Sequence, residues 1–281
     1  MSPPSTCWRV SGGGNDFLAL IEPPAAPDPS TIRAWCRRGL SLGADGLFVL
    51  SRQGEAVRMD YWNADGSPAD LCINGTRCAA RLAFDLEWAS GTMTIATGAG
   101  PIAAAAAGED RIALALPPAE TPPVPRRLTA GGREWSGWQV SVGVPHFVVP
   151  WEENLGQAPV AELGPALRHH PDLGPAGANV DFVRFRPPRR LEIRTFERGV
   201  EAETLACGTG VLAAAATALE LGALGLPIRA LTLGGFELEV EGELREDRVV
   251  SWRLLGDARL LGHCEILPGA ARLPDPPAWS P

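Results

Sequence analysis

The chain has 281 residues, is 45% hydrophobic and 21% charged, carries a formal charge of −8, and draws all 25 of its basic residues from arginine. That length suffices for two compact domains or one large one. The acidic balance argues against nucleic acid or anionic lipid as a partner, and no apolar run reaches the length of a membrane span.

Without lysine the chain cannot hold pyridoxal phosphate as an internal Schiff base, so pyridoxal-dependent chemistry is excluded. Residues 1–6 lack a basic segment followed by an apolar stretch; no signal peptide is expected, and the cytoplasm is the expected location. The cysteines are Cys7, Cys36, Cys72, Cys78, Cys207 and Cys264. They form no C-x-x-C pair and have no histidine at metal-ligand spacing, so no metal is expected. Reduced thiols suit a chain of this size better than a disulfide framework.

In chain order, Gly12-Gly13-Gly14-Asn15-Asp16-Phe17 is a glycine-rich approach to a strand. An alternating strand over residues 58–62 ends in the polar turn Asn63-Ala64-Asp65-Gly66. The small-residue turn Cys72-Ile73-Asn74-Gly75 precedes a helix with an apolar stripe of Cys78, Ala79, Leu82, Ala83 and Leu86 and with Arg77, Arg81 and Asp85 elsewhere. A strand-like segment around 93–95 follows. The proline-rich stretch 117–125 reads as an interdomain linker.

Beyond it the series recurs. Gly177-Ala178-Asn179-Val180-Asp181-Phe182 leads to a strand over 191–196 and the turn Glu197-Arg198-Gly199. Cys207-Gly208-Thr209-Gly210 then opens a helix over 211–221, apolar or small on nearly every face and stopped by Gly222. A strand-like segment around 231–233 closes the series. The shared order reads as a duplication, with 12–17 matched to 177–182. The expected fold is α/β (α+β): two pseudo-symmetric domains, each a curved mixed β-sheet wrapped around a central helix, with the active site in the interdomain cleft. The expected domains are 1–118 and 119–257, with 271–281 a disordered tail.

Cys72 and Cys207 each stand just before a predicted helix N-terminus, where backbone amides and the helix dipole stabilise an anion. A lowered thiol pKa is expected, and the amides of Ile73, Asn74, Gly208 and Thr209 suit a substrate carboxylate. The dipole supplies roughly 0.3–2 kcal/mol per site, so it assists catalysis and does not explain it. Two such turns placed face to face would hold an α-carbon between two sulfurs. One thiolate would remove its proton while the opposite thiol delivers another, and the amides would stabilise the enediolate-like charge. Taken singly, either cysteine also reads as a small buried apolar residue, the role expected of Cys7, Cys36, Cys78 and Cys264. The matched pair favours chemistry.

Asn63-Ala64-Asp65-Gly66-Ser67 followed by Cys72-Ile73-Asn74-Gly75-Thr76-Arg77-Cys78 resembles the first signature of the diaminopimelate epimerase family. Glu197-Arg198-Gly199 leading to Glu203-Thr204-Leu205-Ala206-Cys207-Gly208-Thr209-Gly210 resembles the second. Gly14-Asn15-Asp16-Phe17, Gly43-Ala44-Asp45-Gly46 and Val144-Pro145-His146 also match in order, so the resemblance runs from about Val10 to about Gly262.

The resemblance implies conversion of L,L-diaminopimelate to the meso form for lysine and peptidoglycan synthesis, without metal, flavin or pyridoxal, by a homodimer. It implies a short C-terminal strand returning to the first domain near 258–266, within a returning segment at about 258–270. Cys72 and Cys207 would be the acid–base pair, with Cys72 facing the α-proton of the L,L substrate. Asn15 would contact substrate, and the amides of Ile73, Asn74, Gly208 and Thr209 would hold the reacting carboxylate. Asn63, Asn179 and Arg198 would hold the distal carboxylate and amine. His146 and Glu197 would lie near the thiols and tune them, Glu197 also bordering the substrate. A guanidinium with two amides suits a second zwitterionic centre. From the residues alone, a surface ion pair for Arg198 and turn capping for Asn63 and Asn179 stand equally open.

Four departures stand out: Ile73 for the usual glycine, Val144 for the asparagine before Pro-His, one extra residue within 197–207, and Ser11 for histidine. Ile73 and Val144 motivate an alternative, a two-thiol racemase of another amino acid. A non-catalytic amino-acid-binding member is a third reading, opposed by the retention of both cysteines.

Overall fold

The computed structural model describes residues 5–54, 56–246 and 248–273. The chain forms two compact units, Met1–Ala106 together with Ala258–Pro281, and Ala107–Asp257.

The first unit runs β1 (Ser5–Gly12), β2 (Asn15–Ile21), α1 (Pro29–Cys36), β3 (Gly46–Gln53), β4 (Ala56–Asn63), β5 (Pro68–Ala69), α2 (Ile73–Asp85), β6 (Thr92–Thr97) and β7 (Gly100–Ala106). The pairs β2–β3 and β4–β6 are parallel and the other pairs antiparallel. Parallel neighbours need a crossover, and α1 and α2 supply one each. In β2, Phe17, Leu18, Ala19 and Leu20 are all buried, as a strand covered on both faces requires. Leu18, Leu20, Leu47 and Val49 pack with Ile32, Trp35 and Cys36 of α1. Asp28 caps α1 through the amides of Ser30 and Thr31, with Pro29 in its first turn.

In the second unit come β8 (Arg111–Leu116), β9 (Val124–Ala130), β10 (Arg133–Val142), β11 (Val144–Pro150), α3 (Val160–Arg168), β12 (Asn179–Arg186), β13 (Arg190–Glu197), β14 (Ala202–Thr204), α4 (Gly208–Glu220), β15 (Ile228–Thr232), β16 (Glu237–Arg245) and β17 (Arg248–Asp257). Again two pairs are parallel, β11–β12 across α3 and β13–β15 across α4. Val160, Leu163 and Leu167 of α3 cover Phe147, Phe182 and Phe196. Residues Val211 to Ala215 of α4 are fully buried, which accounts for a helix with no polar face. Finally β18 (Arg259–Ile266) pairs with β1 in the first unit, Cys7 standing opposite Cys264.

Strand order and pairing sense therefore repeat, β2-α1-β3-β4-β5-α2-β6-β7 against β11-α3-β12-β13-β14-α4-β15-β16. The expected correspondence is shifted, however. Asn179 opens β12, the counterpart of β3, so 177–182 matches Gly43-Ala44-Asp45-Gly46-Leu47-Phe48 and not 12–17, which leads into β2. Common Asn, Asp and Phe letters suggested one pairing; parallel register places another.

The proline-rich stretch 117–125 connects β8 to β9 inside the second unit, because β8 pairs with β17. The division falls at Ala106/Ala107. Of the expected tail, Ala271 ends a short 3-10 helix, Pro268–Ala271, and Ser41 Oγ donates to the Ala270 carbonyl at 2.7 Å. Residues 274–281 lie outside those described. Among the described residues, no helix is long and apolar enough to cross a membrane.

Candidate active site

Each unit carries one cysteine at the N-cap of a 13-residue helix, Cys72 on α2 and Cys207 on α4. Both have extended backbone, and each sulfur accepts the amide three residues on, Gly75 or Gly210, at 3.4 Å. The first helical bonds close on the cysteine carbonyls, from Thr76 N at 2.7 Å and Val211 N at 3.0 Å. The amides of Ile73, Asn74, Gly208 and Thr209 precede those bonds, at the end of a helix that presents N–H groups to an anion.

On the first unit, the pKa of the Tyr61 hydroxyl is raised by burial first and then by Cys72. The ring needs Gly46 beside it: a Cβ there would stand 2.7 Å from the hydroxyl and 2.8 Å from the ring. Asn74 Nδ2 donates to Asn15 Oδ1 at 2.7 Å, and Asn15 Nδ2 donates to Asp45 Oδ2 at 3.1 Å. Arg77 is fully buried and donates to Asn74 Oδ1 at 2.7 Å. It was expected on the polar side of α2; its guanidinium instead fixes the asparagine beside Cys72. Arg38 pairs with both Asp16 and Asp45. The turn residue Asn63 is exposed, and its Nδ2 donates to Ser67 Oγ at 3.1 Å.

On the second unit, His146 and Asp181 are fully buried, with Nδ1 and Oδ2 2.7 Å apart. Asn179 Nδ2 lies 3.3 Å from His146 Nε2, and Asn179 Oδ1 accepts the Arg198 amide at 2.7 Å. Thr195 Oγ1 donates to Asp181 Oδ1 at 2.7 Å. Glu197 accepts from Thr204 Oγ1 at 2.5 Å, and its charge acts on the Cys207 thiol. Thr209 Oγ1 is 3.3 Å from the same sulfur.

The electrostatics correct one expectation. Cys207 is held well above the ordinary thiol range, by burial first and then by the charges of Glu197 and Asp181, which outweigh the Thr209 and Gly210 hydrogen bonds. A helix N-terminus is too weak a field to offset a desolvated sulfur between two carboxylates. Glu197 is itself raised, chiefly by burial, with Asp181 adding to the rise and Thr204 and Cys207 opposing it.

A family model described as diaminopimelate epimerase matches residues 7–119 and 138–257. The chain belongs to the diaminopimelate epimerase family. It is 44% identical to the diaminopimelate epimerase of Gemmatimonas aurantiaca over 84% of this chain and 87% of that one. The diaminopimelate epimerase of Aquifex aeolicus is 34% identical over 83% of this chain and 88% of its own. The fold is shared with a phenazine biosynthesis protein of the PhzF family from Bacillus anthracis, at TM-score 0.70 and 14% identity over 94% and 99% of the two chains. It is shared also with a hydroxyproline epimerase from Agrobacterium vitis, at TM-score 0.69 and 17% identity over 97% and 96%.

Of the residues expected for a diaminopimelate epimerase, Ile73 and Asn74 open the helix after Cys72 and Asn74 bonds to Asn15, while Gly208 and Thr209 open the helix after Cys207 and Asn179 bonds to His146 and to the Arg198 amide. His146 bonds to Asp181 and Asn179. Ile73 is helical and buried, so its side chain is accommodated while its amide stays in the first turn. Between Glu197 and Cys207, Glu201 has φ 56° and is held by Arg168 and His169. Ser11 is buried and accepts from Arg259 at 3.3 Å. Tyr61, Arg77 and Asp181 were not singled out as site residues. A Cys-x-x-x-x-Arg spacing marks Arg77 as sharing the helix end with Cys72; nothing local marks the other two.

Proposed function

We propose that the chain interconverts L,L- and meso-diaminopimelate by proton transfer between two thiols, using no cofactor. The observation that carries this reading is the repeated cysteine N-cap, one on each of two matching units, in a chain without lysine. The name borne by relatives up to 44% identical supports the substrate.

In the L,L-to-meso direction, the Cys72 thiolate takes the α-proton and the C–H electron pair moves into the carboxylate as an enediolate. The Cys207 thiol then gives its proton to the opposite face of that carbon, leaving Cys72 as thiol and Cys207 as thiolate. Amides at the two helix ends bind the carboxylate and stabilise its added charge. The surroundings of Cys207 suit its starting state, since the charges of Glu197 and Asp181 favour the thiol there. Asn179 and Arg198 would bind the distal amino-acid centre, and the product would feed lysine and peptidoglycan synthesis.

A second reading, a racemase of another amino acid, draws on Val144, which brings no amide to the start of β11, and on Asn63, which is engaged with Ser67. Deuterium entry at the α-carbon separates the two. Reduced protein in deuterated water, offered L,L-diaminopimelate beside single-centre amino acids, should label only diaminopimelate and yield the meso form. Label in another amino acid would replace the substrate, and label in none would end the two-thiol reading.

A further inference from the structure

Asp181 is a carboxylate with no exposure, and its partners are His146 and Thr195. Burying such a pair costs desolvation that a hydrophobic pair would avoid, so stability alone is a poor reason to keep it. The hydrogen bonds around it have forced directions. The Arg198 amide can only donate, so the Asn179 atom 2.7 Å away is the amide oxygen. Asn179 therefore turns its NH2 toward His146 Nε2, 3.3 Å away. That nitrogen must present a lone pair, which leaves the ring proton on Nδ1, donated to Asp181 Oδ2 at 2.7 Å. Thr195 Oγ1 donates to the remaining oxygen at 2.7 Å and holds the carboxylate.

We propose that Asp181 is a positioning residue: by holding His146 in the neutral Nδ1–H form it fixes the facing of the Asn179 amide and, through it, the stance of Arg198. The inference rests on the assignment of Asn179 and Arg198 to the distal centre of the substrate. Asp181 touches no reacting atom in this scheme. Its effect passes along β12 to β11, back to the start of β12, and on to the turn after β13.

The test is nitrogen-15 spectroscopy of histidine-labelled full-length protein, which has four histidines, with His146 assigned by His146→Gln. Wild type should show Nδ1 protonated and Nε2 unprotonated. In Asp181→Asn, the side-chain oxygen still accepts from Nδ1 and its NH2 meets the Thr195 hydroxyl, so the pattern should persist. Asp181→Leu should scramble the tautomers and raise KM for diaminopimelate roughly tenfold or more, whereas Asp181→Asn should keep the wild-type KM; kcat should change in both, because each removes the Asp181 charge from the Cys207 thiol. Thr195→Val should lower stability while leaving tautomer and KM in place.

A protonated Nε2 in wild type would overturn the proposal, without need of any variant. So would a folded Asp181→Leu that keeps both the tautomer and KM, or an Asp181→Asn that keeps the tautomer yet loses affinity like the leucine variant. The spectra require no substrate. A chain that shows the pattern and the scrambling but turns over no diaminopimelate would retire the proposed function and leave the positioning of Asn179 standing.

Discussion

Gly210→Ala sets two effects of opposite sign against each other. Gly210 is helical, and alanine in a helix interior is favoured over glycine by about 1 kcal/mol. The added Cβ would stand 2.5 Å from Asp181 Oδ1 and 3.2 Å from Thr195 Oγ1, where ordinary contact begins near 3.4 Å. Asp181 is fully buried and bonded on both oxygens, so it cannot swing into solvent. Overpacking of this kind costs roughly 1–3 kcal/mol, and stretching the bond to His146 adds about 1–3 kcal/mol for a buried charge left short of a partner. The clash wins, with a net loss of about 1–5 kcal/mol after the helical gain is subtracted. Urea unfolding followed by tryptophan fluorescence should show an earlier midpoint, and thermal unfolding a fall of at least about 2–4 °C for a unit of this size. A variant as stable as wild type would mean that α4 and β12 are not packed as closely as described.

Cys72→Ala and Cys207→Ala should each abolish α-proton exchange into diaminopimelate while changing the unfolding midpoint little; a single variant that still epimerises would refute the two-thiol scheme. Glu197→Gln removes one of the two carboxylates that hold the Cys207 thiol up, so the thiol should titrate at lower pH, followed by cysteine carbon-13 shifts, and an unmoved titration would sink the assignment. Burial pushes Cys36 up to about 11 and Cys7 up to about 12, the latter also by its hydrogen bond with Cys264. A raised thiol contributes stability that is fully present below the unfolded value near 9 and is lost as pH climbs through 11 and 12. The urea midpoint should fall above about pH 9, and Cys36→Ala should flatten that fall. Cys7 and Cys264 sulfurs lie 3.2 Å apart on paired strands. Hydrogen peroxide should join them, two thiols losing two protons and two electrons as the peroxide becomes water, and peptide mapping that finds both reduced would count against the register.

What could be read from the letters is what short range dictates. Cys72 and Cys207 each precede small, amide-exposing residues and then an unbroken run of helix formers, so both helix starts were legible. The all-apolar α4 declared its burial. The shared order of strands and helices declared the duplication, but Asn-Asp-Phe alignment misplaced it, because register between β11 and β12 is set by pairing across the intervening residues 151–178. The proline cluster 117–125 looked like a boundary, and only the pairing of β8 with β17 shows that it lies within a unit. Arg77 was read as polar surface since an isolated helix gives it nowhere else to go; the buried amide of Asn74 supplies the place. Asp181 and Tyr61 owe their roles to residues on neighbouring strands, and no local spacing reports that.

The pairing of β1 with β18 has a consequence for the order in which the protein is made. The whole second unit is synthesised before the strand that completes the first. At roughly 5–20 residues per second, the 151 residues from Ala107 to Asp257 occupy the ribosome for roughly 8–30 s. Throughout that interval one edge of β1 has no neighbour, and an unpaired edge invites pairing with another nascent chain. The N-terminal half of the molecule is thus the last to be finished, and its hazardous moment falls during translation.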